Sequence, residues 1–152
     1  MKADCITCKN SNCFFLKYCS LQWREFLSAN KTTSVYQIKQ NIFLEDTYVE
    51  GIYVVHKGNV LEAYSKKDNQ LVHKHTVQKG DFFGYTGYSC SKHLFTAVAQ
   101  ENNTQICFFT KEQVYQTCLN NKEFAYQLML FFLEALQKNE QQNTLNIKLA
   151  HG

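Results

Sequence analysis

Seven cysteines stand at positions 5, 8, 13, 19, 90, 107 and 118, and four of them fall within the first nineteen residues, spaced C-x2-C-x4-C-x5-C. Thiolates are soft ligands, and a group of four suits either an iron–sulfur cluster or tetrahedral zinc. The stretch that carries them reads as loop, and a loop can wrap a centre that no rigid element has to match. A lone C-x2-C is a weak signal; Cys13 strengthens it. Against this stands the plainer reading: ordinary reduced thiols or a redox disulfide, with Cys107 a small buried strand residue. An odd count leaves one thiol over in any full disulfide scheme. Cys90 and Cys118 are assigned to loop and helix packing. His73 and His75 lie two apart on a strand and share a face, which would allow a metal pair, though such positions more often face solvent. Nothing resembles a catalytic triad, a paired-carboxylate site or a phosphate-binding glycine motif, so no enzymatic activity is expected.

The elements that must position these residues belong to one domain of 152 residues with 45% hydrophobic content. The 16 basic and 13 acidic residues nearly balance, which speaks against a nucleic-acid surface. Arg24 is the only arginine, so the chain has at most one planar fork for bidentate phosphate or guanine recognition. No secretory signal pattern is visible at the start, and the longest apolar run, Leu128 to Leu133, is far shorter than the roughly 20 residues that span a bilayer. A cytoplasmic location with no membrane partner is expected.

Residues 80–101 organise the middle of the chain. Gly80, Gly84 and Gly87 punctuate an aromatic run and mark tight turns around a half-buried segment. Runs rich in Val, Ile, Tyr and Phe surround it: Val35 to Ile38, Asn41 to Leu44, Gly51 to Val55, Asn59 to Ser65, Leu71 to Val77, Phe95 to Ala99 and Gln105 to Phe109. The tip Lys66 to Gln70 turns one hairpin. Ser20 is the N-cap of a short early helix. Thr110 caps a helix over Lys111 to Leu119, and Lys122 to about Ala150 is one long helix. The fold class is mainly β with helices: a double-stranded β-helix (jelly-roll), or β-roll, followed by a short helix and a long C-terminal helix. Leu128, Phe131, Phe132, Ala135, Leu145 and Leu149 mark an apolar stripe that outruns what one roll can cover. The simplest partner for it is a second copy, giving a homodimer. Residues 1–121 then form the cysteine-bearing segment plus roll, and 122–152 the dimerisation helix of the same unit.

The segments Lys39 to Asp46, Gly51 to Gly58 and Gly80 to Gly84 resemble the β-roll of the CRP/FNR family of bacterial transcription regulators, and the terminal helix resembles that family's dimerisation helix. Lys39 and Asp46 stand where the family often has glycine. Tyr85 occupies the position of the glutamate that grips a cyclic nucleotide's ribose. The position of the phosphate-binding arginine falls among Lys92, His93 and Leu94. The resemblance therefore implies a roll that has lost its cyclic-nucleotide grip.

The oxygen-sensing branch of the family holds a 4Fe-4S cluster through an N-terminal cysteine group and one distal cysteine. Cys5, Cys8 and Cys13 match the group and Cys107 the distal position; Cys19 is an alternative third ligand. The implied function is redox or oxygen sensing by an iron–sulfur centre, with zinc as an alternative metal, relayed to the dimerisation helix. A second reading is a metal-free, small-molecule-binding roll with its ligand near Phe83, Tyr85, Lys92 and His93. A third, weaker one is a cupin-like metalloenzyme using His73 and His75. The family continues into a helix-turn-helix, and no such pattern precedes Gly152, so this chain alone is not expected to read DNA.

Overall fold

The computed structural model describes residues 4–68 and 70–151; Asn69, in the hairpin tip read from the sequence, and the terminal Gly152 lie outside them. Eight strands form two four-stranded sheets. In chain order they are β1 (Thr32–Tyr36), β2 (Asn41–Phe43), β3 (Gly51–Lys57), β4 (Val60–Ser65), β5 (Leu71–Val77), β6 (Phe82–Phe83), β7 (Thr96–Ala99) and β8 (Thr104–Thr110). One sheet has the order β1-β8-β3-β6 and the other β2-β7-β4-β5, with every pairing antiparallel. Strands β5 and β6 therefore end their respective sheets.

Four helices complete the chain: α1 (Phe14–Tyr18), α2 (Leu21–Asn30), α3 (Lys111–Asn120) and α4 (Lys122–His151). Their starts follow from local chemistry. The Ser20 side chain accepts from the Trp23 amide at 3.2 Å. Thr110 and Gln113 form a reciprocal capping box, each side chain serving the other's backbone N–H, which satisfies two amides that the first turn would otherwise orphan. None of the described helices is long and apolar enough to cross a membrane.

Strands β3 and β8 are covered on both faces, and two cores result. Between the sheets lie Phe43, Val55, Val60, Val77, Phe83, Ala97 and Ile106. On the other face of the β3/β8 sheet, Ile52, Val54, Cys107 and Phe109 pack against Phe15, Leu16, Leu27, Val114 and Phe124 from the helices. The strict alternation of a strand thus sends Ile106 into one core and Cys107 into the other. Phe15 stacks on Phe109 with ring centroids 4.1 Å apart.

Two short elements depart from the sequence reading. The segment Phe14–Tyr18, expected as loop, is one helical turn, because burying Phe15 and Leu16 side by side against the sheet requires it. Five residues are too few to show a helical period. The pair Phe82–Phe83 is a strand against Tyr53 and Val54. Lys39 and Asp46 adopt φ of 71° and 64°, the left-handed region that glycine fills most easily, as their alignment with family glycines implies. Gly87 works differently: a Cβ there would meet the Lys92 carbonyl oxygen at 1.7 Å, so that turn requires close backbone approach.

Candidate functional site

Two hollows flank the helical face of the β3/β8 sheet. The first gathers the thiols. Because Cys107 faces the helices, the N-terminal segment lies over it, held by Asn10, whose side chain donates to the Val55 carbonyl at 3.4 Å, and by the bond from the Cys5 amide to the Ser28 hydroxyl at 3.1 Å. Cys5, Cys8, Cys13 and Cys107 line one cavity together with Lys31 and His56. The Cys8 sulfur is 3.8 Å from His56 Nδ1.

This cavity measures about 20 Å³, enough for about one water molecule and no more. Burial pushes the Cys13 thiol up to about 11 and Cys107 to about 12, and raises Cys5; the charge of Lys31 offsets only part of this at Cys5 and Cys107. A thiol must lose its proton to ligate a metal, and burial opposes that loss at Cys5, Cys13 and Cys107. No group of three histidine, cysteine or acidic side chains is arranged to hold a metal ion among the described residues. The expected 4Fe-4S cluster, its zinc alternative, and redox or oxygen sensing through Cys5, Cys8, Cys13 and Cys107 are therefore corrected: the four thiols meet as packing residues around a closed gap. Cys19 is buried elsewhere in the same core, its thiol pushed up to about 12 by burial. The histidine pair is no metal site either. His75 Nε2 lies 3.0 Å from Glu62 Oε1, and His73 Nε2 lies 3.3 Å from the Thr76 hydroxyl.

The second hollow opens between the sheet and helices α3 and α4. It measures about 450 Å³. Ile52 of β3, Tyr85 and Tyr88 of the loop after β6, Val114 and Cys118 of α3, and Leu128 and Phe132 of α4 line it. An aromatic cluster stands at its edge: Tyr85 lies 5.6 Å from Phe131 and 5.3 Å from Phe132, and Phe82 lies 4.3 Å from Phe131. Lys111 reaches over the Tyr88 ring at 4.9 Å and donates to the Tyr88 carbonyl at 3.4 Å, tying the loop to α3.

Of the four residues proposed from sequence for a ligand pocket, Tyr85 lines this hollow. Phe83 is fully buried between the sheets. His93 is stacked on Phe43 at 3.7 Å, and burial pushes its pKa down to about 4. Lys92 extends over the exposed Tyr48 ring at 5.7 Å. Sequence reasoning missed Ile52, Val114 and Cys118 as lining residues. For Val114 and Cys118 the signal was the apolar face of α3 and for Ile52 the alternation of β3, both of which are equally core signals. Along α4, Leu128 and Phe131 pack on the helical core, while Phe132, Leu145 and Leu149 are exposed and Ala135 is half-buried.

Residues 33–121 match the family model described as a cyclic nucleotide-binding domain. Among solved structures, the chain is similar to the sensor domain of the transcriptional regulator DNR from Pseudomonas aeruginosa (TM-score 0.74, 15% identity, covering 84% of this chain and 85% of that one). It is also similar to the Thermus thermophilus catabolite activator protein (TM-score 0.73, 16% identity, 83% and 59%). A third likeness is to the N-terminal domain of a transcriptional regulator from Streptomyces coelicolor A3(2) (TM-score 0.65, 14% identity, 90% and 95%). The chain spans 59% of the catabolite activator's length. A search of curated proteins finds no match. A matched domain over more than half of the chain, built as two antiparallel sheets with a long terminal helix, leads to one conclusion: this chain belongs to the cyclic nucleotide-binding domain family.

Proposed function

We propose that the chain is the sensor and dimerisation unit of a CRP/FNR-type transcription regulator, and that it senses a small molecule without a metal. The observation that carries this reading is the 450 Å³ hollow roofed by α4. Pockets of this size, apolar with a few polar groups, are where small ligands bind. Here the roof is the element with most of its length unsupported. A ligand that fills the hollow binds one placement of α4 better than another and so biases the helix.

The jelly-roll reading of the two sheets is supported by their strand orders, β1-β8-β3-β6 and β2-β7-β4-β5. The division into a roll-bearing part, 1–121, and a dimerisation helix, 122–152, is supported by α4 burying Phe124 near its start and exposing Leu133, Leu136, Leu145, Ile147 and Leu149 further on. A second copy covers that stripe, so the unit is a homodimer whose pairing the ligand adjusts. DNA is reached through a helix-turn-helix domain of the type the family carries, and this sensor unit makes no direct contact with it.

Hydrogen–deuterium exchange with and without indole, a neutral aromatic of suitable size, tests the site. Slowed exchange over residues 85–89 and 126–136 is expected. Protection confined to residues 4–19, or none at all, would overturn the reading.

A further inference from the structure

The hollow under α4 is graded in polarity. Its floor is hydrocarbon, since Ile52 and Val114 are buried there. Tyr85, Tyr88 and Cys118 stand half-buried along the walls, and Ser89 and Tyr115 are exposed at the mouth. The rings of Tyr85, Tyr88, Tyr115 and Phe132 thus enclose the space from the loop after β6, from α3 and from α4. Aromatic side chains favour a flat aromatic guest, packed offset or edge-on against their rings.

This lining carries no charge. Among the described residues, no lysine, arginine, histidine, aspartate or glutamate lines the hollow. Lys111 braces the loop instead, through the Tyr88 ring and carbonyl, and Arg24, the only arginine, donates to the Leu16 carbonyl. An ion entering the hollow would lose hydration with no opposite charge to replace it. A neutral polar group is better served: the Tyr85 and Tyr88 phenols and the Ser89 hydroxyl can each donate a hydrogen bond. Burial raises both phenols above their ordinary range, so they stay donors at neutral pH.

We propose that the ligand of this hollow is an uncharged, planar aromatic molecule with one neutral hydrogen-bond acceptor, a carbonyl or its equivalent. Its ring lies on the floor of Ile52 and Val114 among the tyrosine rings, and its acceptor takes a hydroxyl proton nearer the mouth. This rests on the small-molecule reading above and narrows it to one charge class and one polar group. A cyclic nucleotide fails on both counts, because its phosphate is an anion and the lining offers that anion no cation.

The test titrates probes that share one ring system into the whole chain at pH 7, read by calorimetry: 3-acetylindole, indole, indole-3-carboxylate and 2-(indol-3-yl)ethylammonium, with cyclic AMP beside them. The ketone is expected to bind tightest, about 3- to 10-fold tighter than indole, and each ion at least about tenfold more weakly than the ketone. Tyr85→Phe with Tyr88→Phe keeps the rings and removes the phenol hydroxyls, and should narrow the ketone's advantage over indole to less than about twofold. Should that variant not fold, the order of the probes on the unaltered chain still decides. An ion or cyclic AMP that binds as tightly as the ketone overturns the charge class. A ketone no tighter than indole, or an advantage that survives the double variant, overturns the acceptor assignment. In each of these cases the hollow remains a ligand site; no binding by any probe overturns this inference and the small-molecule reading together.

Discussion

The two hollows on the helical face of one sheet have opposite fates. The thiol cavity has chemically distinctive walls and about 20 Å³ of space; the one beneath α4 has ordinary apolar walls and about 450 Å³. The first is closed by α1 and the N-terminal segment, which Phe15 clamps in place by stacking on Phe109 and packing against the tilted ring of Phe124. The second is roofed by a helix that packs on the domain only over its first turns. Reactive residue types do not make a site when packing has consumed the volume around them. Free volume beneath a movable element does, even when every lining residue looks like core.

The contrast between the hollows breaks if the thiol region depends on a metal. Phe15→Ala, which removes the clamp, should cost about 3–5 kcal/mol in urea denaturation, and added EDTA should change nothing. A chelator effect approaching the size of the Phe15 effect would restore a metal to the first cavity.

The loop beside the second hollow is expected to respond to acid. His93 is buried neutral at the end of that loop, with a folded pKa of about 4 against an ordinary 6.5. Between those values the unfolded chain binds the proton and the folded chain does not. Stability is therefore full above about pH 6.5 and falls as pH drops toward 4, by at most about 1.4 kcal/mol per unit. His93→Phe should flatten that slope in denaturation curves taken across the interval; an unchanged slope would assign the acid sensitivity elsewhere.

Cys107→Ala sharpens the contrast further. A thiol that only packs should cost about 1 kcal/mol by the same denaturation measurement, and a loss several times larger would mean the sulfur does something besides fill space. Smallest of all, the exposed stripe should matter only between copies. Leu145→Gln with Leu149→Gln should shift monomer stability by no more than about 0.5 kcal/mol and weaken self-association in sedimentation equilibrium. An unaltered association constant would remove this part of α4 from the dimer contact.

Much of this architecture was legible beforehand because it rests on local rules. Alternating Val and Ile runs marked the long strands and Thr110 marked the start of α3; Lys39 and Asp46, which stand where the resembling family often has glycine, adopt φ of 71° and 64°. The candidate site was legible only in fragments. Topology does carry Cys107 to the N-terminal thiols, yet spacing along a chain contains no information on how much space remains among them. Of the pocket residues read from sequence, Tyr85 lines the hollow, while Phe83 and His93 are buried against Phe43.

The central claim is that this domain takes its signal in the hollow under α4 and not at the thiols. Calorimetric titration of indole into three proteins tests it most directly: the unaltered chain, Cys118→Trp, which fills the hollow, and Cys8→Ala/Cys107→Ala, which strips the thiol cavity. The expected result is equal binding by the first and third, and loss of binding by the second. Binding that survives Cys118→Trp and disappears with the two thiols would contradict the account.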